Sequence, residues 1–164
     1  MVRPATVDDA GAVARVQVET WRAAYAHAIP ADTLANVDVG RRADHWRESI
    51  GSGRSATFVG RLGEAVVGFV NVGASEQHPG LGELFAIYVR PDAWGTGVAT
   101  TLIERGEEEL RSRGFASVVL NVLADNPRAR RFYERQGWTA DPETFEDEFL
   151  GQKLELVRYR KQLA

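Results

Sequence analysis

The feature that most limits the possible folds is a glycine-containing turn between a strand and a helix, in the middle of the chain. β-forming residues at positions 83–89 end at Arg90-Pro91, and an apolar stripe with helical spacing starts at Val98. Gly95 and Gly97 lie in the turn and let the backbone approach a ligand closely. Free N–H groups at the start of a helix bind anions, typically phosphate. The turn therefore predicts either a phosphate site or an ordinary connection whose glycines only supply positive φ.

The segments around this turn predict a mixed α/β sheet. In chain order, the patterns predict a strand, a helical region, three antiparallel strands, a helix, a strand, a helix and two closing strands. The predicted strands are residues 2–5, 56–61, 65–72, 83–89, 117–123, 138–140 and 153–160. The predicted helices are residues 7–26, 32–36, 40–50, 98–113 and 127–136, and residues 141–148 are predicted to be an acidic loop. Because the chain has 164 residues and no internal repeat, we expect one domain over residues 1–164.

Composition removes several classes of function. A net charge of -3 gives no broad basic surface for nucleic acid, and zero cysteines exclude disulfides, thiolate metal sites and a cysteine nucleophile. His27, His45 and His78 lack metal-ligand spacing, so no metal site is expected. No stretch approaches 18 consecutive apolar residues, and no signal-peptide core follows Met1. We therefore expect a cytoplasmic protein with neither a membrane nor a nucleic acid as partner.

A dinucleotide-binding turn is the competing interpretation of the glycines. Such a turn needs a third glycine, whereas Thr100 stands at the matching position. It also needs an acidic residue at the end of the next strand, and none lies near Asn121. The sequence therefore favours a different phosphate ligand.

Two blocks of sequence resemble the GNAT family of N-acetyltransferases. The first, residues 94–99, is similar to the family's pyrophosphate motif Q/R-x-x-G-x-G/A, with Gly97 and Ala99 in the small positions. Its first position departs from the pattern, because it is Trp94. The second block, residues 126–138, resembles the segment N-x-x-A-x-x-x-Y-x-x-x-G-[FW]. The resemblance covers essentially the whole chain and is firm from about residue 83 to residue 138.

The resemblance implies a fold, a reaction and a donor. The fold is a single-domain α/β structure with a mixed, mostly antiparallel sheet, flanking helices and a splayed central strand pair. The reaction is transfer of an acetyl group from acetyl-CoA to a primary amine of a small molecule or peptide, by direct attack in a ternary complex. A CoA-binding sensor or partner module with little catalysis is the alternative.

Matching positions imply the residues of the donor site. Backbone groups of Ile87, Tyr88 and Val89 pair with the pantetheine arm and the thioester carbonyl. The pyrophosphate lies on backbone N–H groups of Gly95, Thr96, Gly97, Val98, Ala99 and Thr100, and Asn126 contacts the cofactor, caps its helix, or does both. Arg128, Arg130 and Arg131 form either a solvated helix face or, for one or two of them, a contact with the cofactor's phosphates.

The resemblance also implies the catalytic and acceptor residues. Tyr133 matches the tyrosine that protonates the departing thiolate, although a helical tyrosine is more often a packing residue. Glu83 lies eleven residues before Trp94, the offset of the general base in histone-type members, with ordered water as the alternative base. Trp21 and Tyr25 lie in the helical region that forms one wall of the acceptor groove.

The acidic stretch at residues 141–148 bears on the acceptor. It carries five acidic residues in eight, and as the opposite rim of the groove it favours a cationic acceptor. An ordinary solvated loop is the alternative interpretation of the same residues. The sequence names no acceptor and leaves the oligomeric state open, a homodimer included.

Overall fold

The computed structural model describes residues 1–163, which form one seven-stranded sheet with helices on both faces. The strands are β1 (Val2–Pro4), β2 (Ala56–Leu62), β3 (Ala65–Ala74), β4 (Gly82–Val89), β5 (Ser117–Leu123), β6 (Thr139–Phe149) and β7 (Gln152–Gln162). The helices are α1 (Ala10–Ala24), α2 (Ala31–Ala35), α3 (Val39–Ser52), α4 (Val98–Ser112) and α5 (Pro127–Arg135). The sheet order β1-β2-β3-β4-β5-β7-β6 contains one parallel pair, β4 with β5. The predicted α/β class and the predicted order of elements are confirmed.

Helices cover the two faces of the sheet separately. On one face, α4 packs so closely that a Cβ added at Gly106 would lie 3.1 Å from Val72 and 3.2 Å from Val70. On the other face, α1 and α3 pack over β3, where the Trp46 and Phe69 rings meet edge-to-face at 5.1 Å. Gly106 therefore lets α4 pack close to the sheet, and this packing sets the position of the start of α4 relative to the strands. None of the helices among residues 1–163 is long and apolar enough to cross a membrane.

The acidic stretch is a strand and not the loop that its composition predicts. Residues 139–149 form β6, which pairs with β7 from Thr144↔Val157 to Phe149↔Gln152. Pro142, which has no N–H, lies where the register shifts between Ala140 and Thr144, on the outermost strand of the sheet. A proline is tolerated at a bulge of an edge strand, because its missing N–H is not needed there for pairing with a neighbouring strand. Pairing with β7 therefore overrides the loop-forming composition.

The central strands β4 and β5 separate along their length. Their ladder contains only Gly82↔Val118 and Glu83↔Val119. Beyond Glu83, β4 continues to pair with β3, while β5 continues to pair with β7. The two strands therefore enclose an opening that widens toward the starts of α4 and α5, as expected for a splayed pair.

Candidate active site

The glycine turn forms the start of α4. Gly95 and Gly97 have φ of +79° and +88°, a conformation that strains residues with a side chain, and Gly97 caps the helix. The Thr96 hydroxyl donates to the Ala93 carbonyl at 2.6 Å and holds the turn closed. The backbone conformation therefore requires both glycines. This observation alone also fits the alternative interpretation, an ordinary connection whose glycines only supply positive φ.

The turn also leaves its backbone donors free. None of the six N–H groups from Gly95 to Thr100 donates to a described residue, and the first helical bond runs from the Thr101 N–H to the Gly97 carbonyl at 3.1 Å. A Cβ added at Gly95 or Gly97 would meet nothing within 4 Å. Consecutive free N–H groups at a helix start, facing open space, fit a pyrophosphate in both charge and hydrogen bonding.

Trp94, the residue that departs from the motif, is anchored to the end of β4. Its side chain is 45% exposed, and its indole Nε1 donates to the Val89 carbonyl at 3.0 Å. The guanidinium carbon of Arg128, from α5, lies 3.5 Å from the centre of its ring. The pair spans the space between the starts of α4 and α5. Sequence reasoning placed Arg128 in an arginine cluster but contained no sign of this contact.

The three predicted residues of β4 face in two directions. Ile87 and Val89 pack in the layer under α4, whereas Tyr88 packs toward α1 and α3, with its ring 5.8 Å from that of Phe69. The edge of β4 that faces β5 has no strand partner beyond Glu83. Its backbone groups there are available to an extended ligand in the way that a neighbouring strand would use them.

Asn126 and Tyr133 lie on α5, at the other side of the opening. Asn126 caps the helix, because its Oδ1 accepts from the Ala129 N–H at 3.2 Å. Tyr133 is 7% exposed and packs beside Trp138 and Tyr159. Its hydroxyl makes no hydrogen bond with any residue from 1 to 163. The structure thus shows the capping role of Asn126 and a tyrosine hydroxyl that is free to bind something else.

Three tyrosine hydroxyls from distant parts of the chain come together near the opening. Burial raises the pKa of Tyr133, and the neighbouring Tyr88 and Tyr159 raise it further. Burial also raises the pKa of Tyr25, followed by the influence of Tyr88 and Tyr133. Burial likewise raises the pKa of Tyr88, against opposing contacts that lower it. All three hydroxyls therefore keep their protons at neutral pH.

Glu83 lies where β4 and β5 still pair, at the closed end of the opening. Its carboxylate accepts a hydrogen bond from the Ser75 hydroxyl at 2.7 Å, and Ser75 is itself buried. The His78 N–H donates to the same hydroxyl oxygen at 3.1 Å. Ser75 directly follows β3 and lies eight residues before Glu83 in the sequence. No sequence pattern indicates that it contacts Glu83.

Trp21 and Tyr25 form a compact aromatic group rather than an open wall. The ring of Phe149, at the end of β6, meets Trp21 edge-on at 5.0 Å and Tyr25 at 5.2 Å. Trp21 is 6% exposed, and its Nε1 is buried without a hydrogen-bond partner among residues 1–163. The exposed part of Trp21 lines a cleft of about 500 Å³ together with Asp38 and Leu150. Phe149 is 128 residues from Trp21, so the sequence offered no signal for this contact.

The remaining titratable residues do not gather into a metal site. Among residues 1–163, no group of three or more His, Cys, Asp or Glu side chains could hold a metal ion. His27 lies 3.3 Å from the Asp125 carboxylate, while His45 lies on α3 and His78 in the loop after β3.

Comparisons with known proteins agree with this geometry. Residues 18–138 match the model of the acetyltransferase (GNAT) family. The uncharacterized N-acetyltransferase YuaI of Bacillus subtilis (strain 168) is 33% identical over 129 residues, which cover 77% of this chain and 73% of that protein. The mycothiol acetyltransferase of Streptomyces scabiei (strain 87.22) is 34% identical over 118 residues, covering 70% of this chain. The matched region spans 36% of that longer protein.

Solved structures show the same fold over the whole chain. The ribosomal-protein-alanine N-acetyltransferase of Brucella melitensis has a TM-score of 0.79 and 25% identity, covering 99% of both chains. A putative acetyltransferase of Salmonella typhimurium, yncA, solved with its cofactor acetyl-CoA, has a TM-score of 0.77 and 23% identity, covering 100% of this chain and 94% of that one. The chain therefore belongs to the GNAT acetyltransferase family and is an N-acetyltransferase.

Proposed function

We propose that this GNAT acetyltransferase transfers an acetyl group from acetyl-CoA to a primary amine of a small molecule or peptide, by direct attack of the amine within a ternary complex. The observation that carries the proposal is the open glycine turn. Its six unpaired N–H groups lie at the wide end of the β4–β5 opening, and α5, on the other side of that opening, carries the free Tyr133 hydroxyl. The relative of known structure that was solved with acetyl-CoA supports this donor.

The donor is bound mainly by backbone groups. N–H groups from Gly95 to Thr100 hold the pyrophosphate, and the open edge of β4 at Ile87, Tyr88 and Val89 pairs with the pantetheine arm. Asn126 keeps its capping bond to Ala129 and can still donate through its Nδ2. This arrangement directs the thioester toward the narrow end of the opening, where β4 and β5 meet.

Tyr133 protonates the leaving group. As the amine nitrogen bonds to the thioester carbonyl carbon and the C–S bond breaks, the sulfur takes the proton of the Tyr133 hydroxyl. The amine's own proton leaves at the same time, and the tyrosine recovers its proton from solvent. Because burial raises the pKa of Tyr133, the hydroxyl is protonated when the reaction begins. Zero cysteines mean that no acyl-cysteine can lie on the path.

Glu83 acts as general base through ordered water. Its carboxylate is held by a hydrogen bond from the Ser75 hydroxyl at the closed end of the opening. One of its oxygens accepts from Ser75, and the other can accept from a water that carries the proton of the amine. The base and the acid then lie at opposite ends of the reacting group.

The acceptor binds on the face that carries α1 and α3. Trp21 and Tyr25 lie on this side, and the Phe149 ring packs directly against both of them. The acidic side chains of β6, four of whose five members are exposed, favour a cationic amine. Trp21 and Tyr25 position the uncharged part of such an acceptor.

The test combines donor binding with turnover. Acetyl-CoA and CoA should raise the melting temperature of the protein, whereas NAD and ATP at equal concentration should not. Release of thiol should then be followed over a panel of polyamines, aminoglycoside-like amines and basic peptides. Stabilisation by CoA with no turnover on any amine would favour the sensor alternative. No stabilisation by CoA would contradict the proposal.

A further inference from the structure

The residue at the first motif position cannot do what Gln or Arg would do there. Either of those side chains could donate hydrogen bonds to a bound phosphate. The Trp94 side chain has a single N–H, and that group already donates to the Val89 carbonyl at 3.0 Å. The donor site therefore lacks one polar side chain beside its glycine turn.

Arg128 lies where that group is missing. Its guanidinium carbon is 3.5 Å from the centre of the Trp94 ring, so the cation rests directly on the face of the indole. A guanidinium uses its planar face for such a contact, and its N–H donors point outward in the plane. No carboxylate among residues 1–163 forms an ion pair with Arg128. Its charge and its donors are thus free beside Trp94, the residue that precedes the two glycines of the turn.

The position of Arg128 on its own helix points in the same direction. It is the second residue of α5, and the first turn of α5 contains no acidic residue. A positive side chain near a helix N-terminus is unfavourable because the helix dipole is positive there. A bound anion between the starts of α4 and α5 would reverse this effect.

We propose that Arg128, held flat on Trp94, supplies the side-chain charge that binds the CoA pyrophosphate in place of the missing motif residue. This inference rests on the proposed function, since it names a further residue of the same donor site. Trp94 is then a positioning residue: it fixes the guanidinium and makes no hydrogen bond to the ligand itself.

The first experiment measures the Kd of CoA by calorimetry for the native protein and for Arg128→Gln. Loss of a charge-assisted contact should raise Kd about 5- to 20-fold at low salt and less at high salt. Arg135→Gln is the matched control, because it removes the same charge from the last turn of the same exposed helix. It should change Kd less than about twofold. Equal Kd values for Arg128→Gln and Arg135→Gln would overturn the proposal.

The second experiment tests the stacking. Trp94→Leu should raise Kd, and adding it to Arg128→Gln should raise Kd little further, since the two residues act as one unit. Arg128→Lys should recover only part of the affinity, because an ammonium lacks the planar face. If the increase in Kd for the double variant equalled the product of the two single increases, the positioning role of Trp94 would be contradicted.

The third experiment identifies the phosphate. 3′-Dephospho-CoA keeps the pyrophosphate, so Arg128→Gln should weaken its binding by the same factor as that of CoA. An effect confined to CoA would assign Arg128 to the 3′-phosphate and overturn the proposal. If the native protein binds no CoA and acetylates no amine, the proposed function itself fails. If it does both and Arg128→Gln behaves as the native protein, this inference fails alone.

Discussion

The two sides of the β4–β5 opening are built in different ways. The proposed donor side consists mainly of backbone: a glycine turn, six free N–H groups and an unpaired strand edge. The proposed acceptor side consists of side chains from separate elements, with Trp21 and Tyr25 of the α1 region against Phe149 of β6. A backbone site survives many substitutions, because most side chains leave N–H groups where they are. A side-chain site changes with each substitution, so acceptor choice can vary while the donor remains the same.

The largest expected effect separates catalysis from binding on the donor side. Tyr133→Phe keeps the ring that packs beside Trp138 and Tyr159 and removes only the hydroxyl. General acid catalysis contributes about 10²- to 10⁴-fold, so we expect kcat to fall by about 10²-fold, with the Kd of acetyl-CoA unchanged. Because burial raises the pKa of Tyr133 above that of an ordinary tyrosine, which is about 10, the hydroxyl stays protonated and this contribution should persist beyond about pH 10. A kcat within twofold of the native value, with chemistry rate-limiting, would leave Tyr133 as a packing residue.

The next effect tests whether the donor side depends on backbone conformation. Gly97→Val places a β-branched residue at φ +88° and should raise the Kd of acetyl-CoA about 10- to 30-fold. Gly114→Val is its matched control, since Gly114 follows the other end of α4 at φ +90° and also faces open space. Both variants should lose about 1–2 kcal/mol of stability from backbone strain, measured by urea unfolding. Only Gly97→Val should lose affinity, and equal loss in both would refute the assignment.

A smaller effect is expected at Glu83, the proposed base, which would act on the amine while it attacks the bound donor. Glu83→Gln should lower kcat about tenfold at pH values where the amine is mostly protonated, and less as the pH rises, with donor Kd unchanged. Ser75→Ala should shift the same pH–rate profile in the same direction but by less, because it frees the carboxylate without removing it. Parallel profiles for the native protein and Glu83→Gln would mean that water or another group is the base.

The smallest effect should fall on the acceptor side alone. Trp21→Phe should raise the KM for the amine about three- to fivefold and leave the Kd of acetyl-CoA unchanged, since it disturbs one contact of the aromatic group. Trp46→Phe, an equally buried substitution in the core under α3, controls for loss of packing. A matching rise in KM for both variants would trace the effect to general packing and break the contrast between the two sides.

Much of the fold could be predicted from local patterns. The β-forming runs at residues 56–61 and 65–72 predicted β2 and β3, and Asn126-Pro127 marked the start of α5. The outer strand β6 could not be predicted in this way. Its acidic residues and Pro142 are typical of a loop, and only its pairing with β7 makes the segment a strand. The candidate site divides in the same way. The glycine turn and the family resemblance predicted its backbone part, whereas Ser75, Phe149 and the stacking of Arg128 on Trp94 depend on tertiary contacts that no local pattern encodes.

The outer strand β6 also bears on how copies of this protein meet. An exposed strand edge is a template on which a second copy can add its own strand. Here Pro142 interrupts the row of N–H donors, and the exposed acidic side chains from Glu143 to Glu148 would face their equivalents in another molecule. Both features oppose edge-to-edge pairing and the fibrous aggregation that it starts. Self-association must therefore use a surface other than the β6 edge, and concentrated solutions at neutral pH should remain free of assemblies that pair through β6.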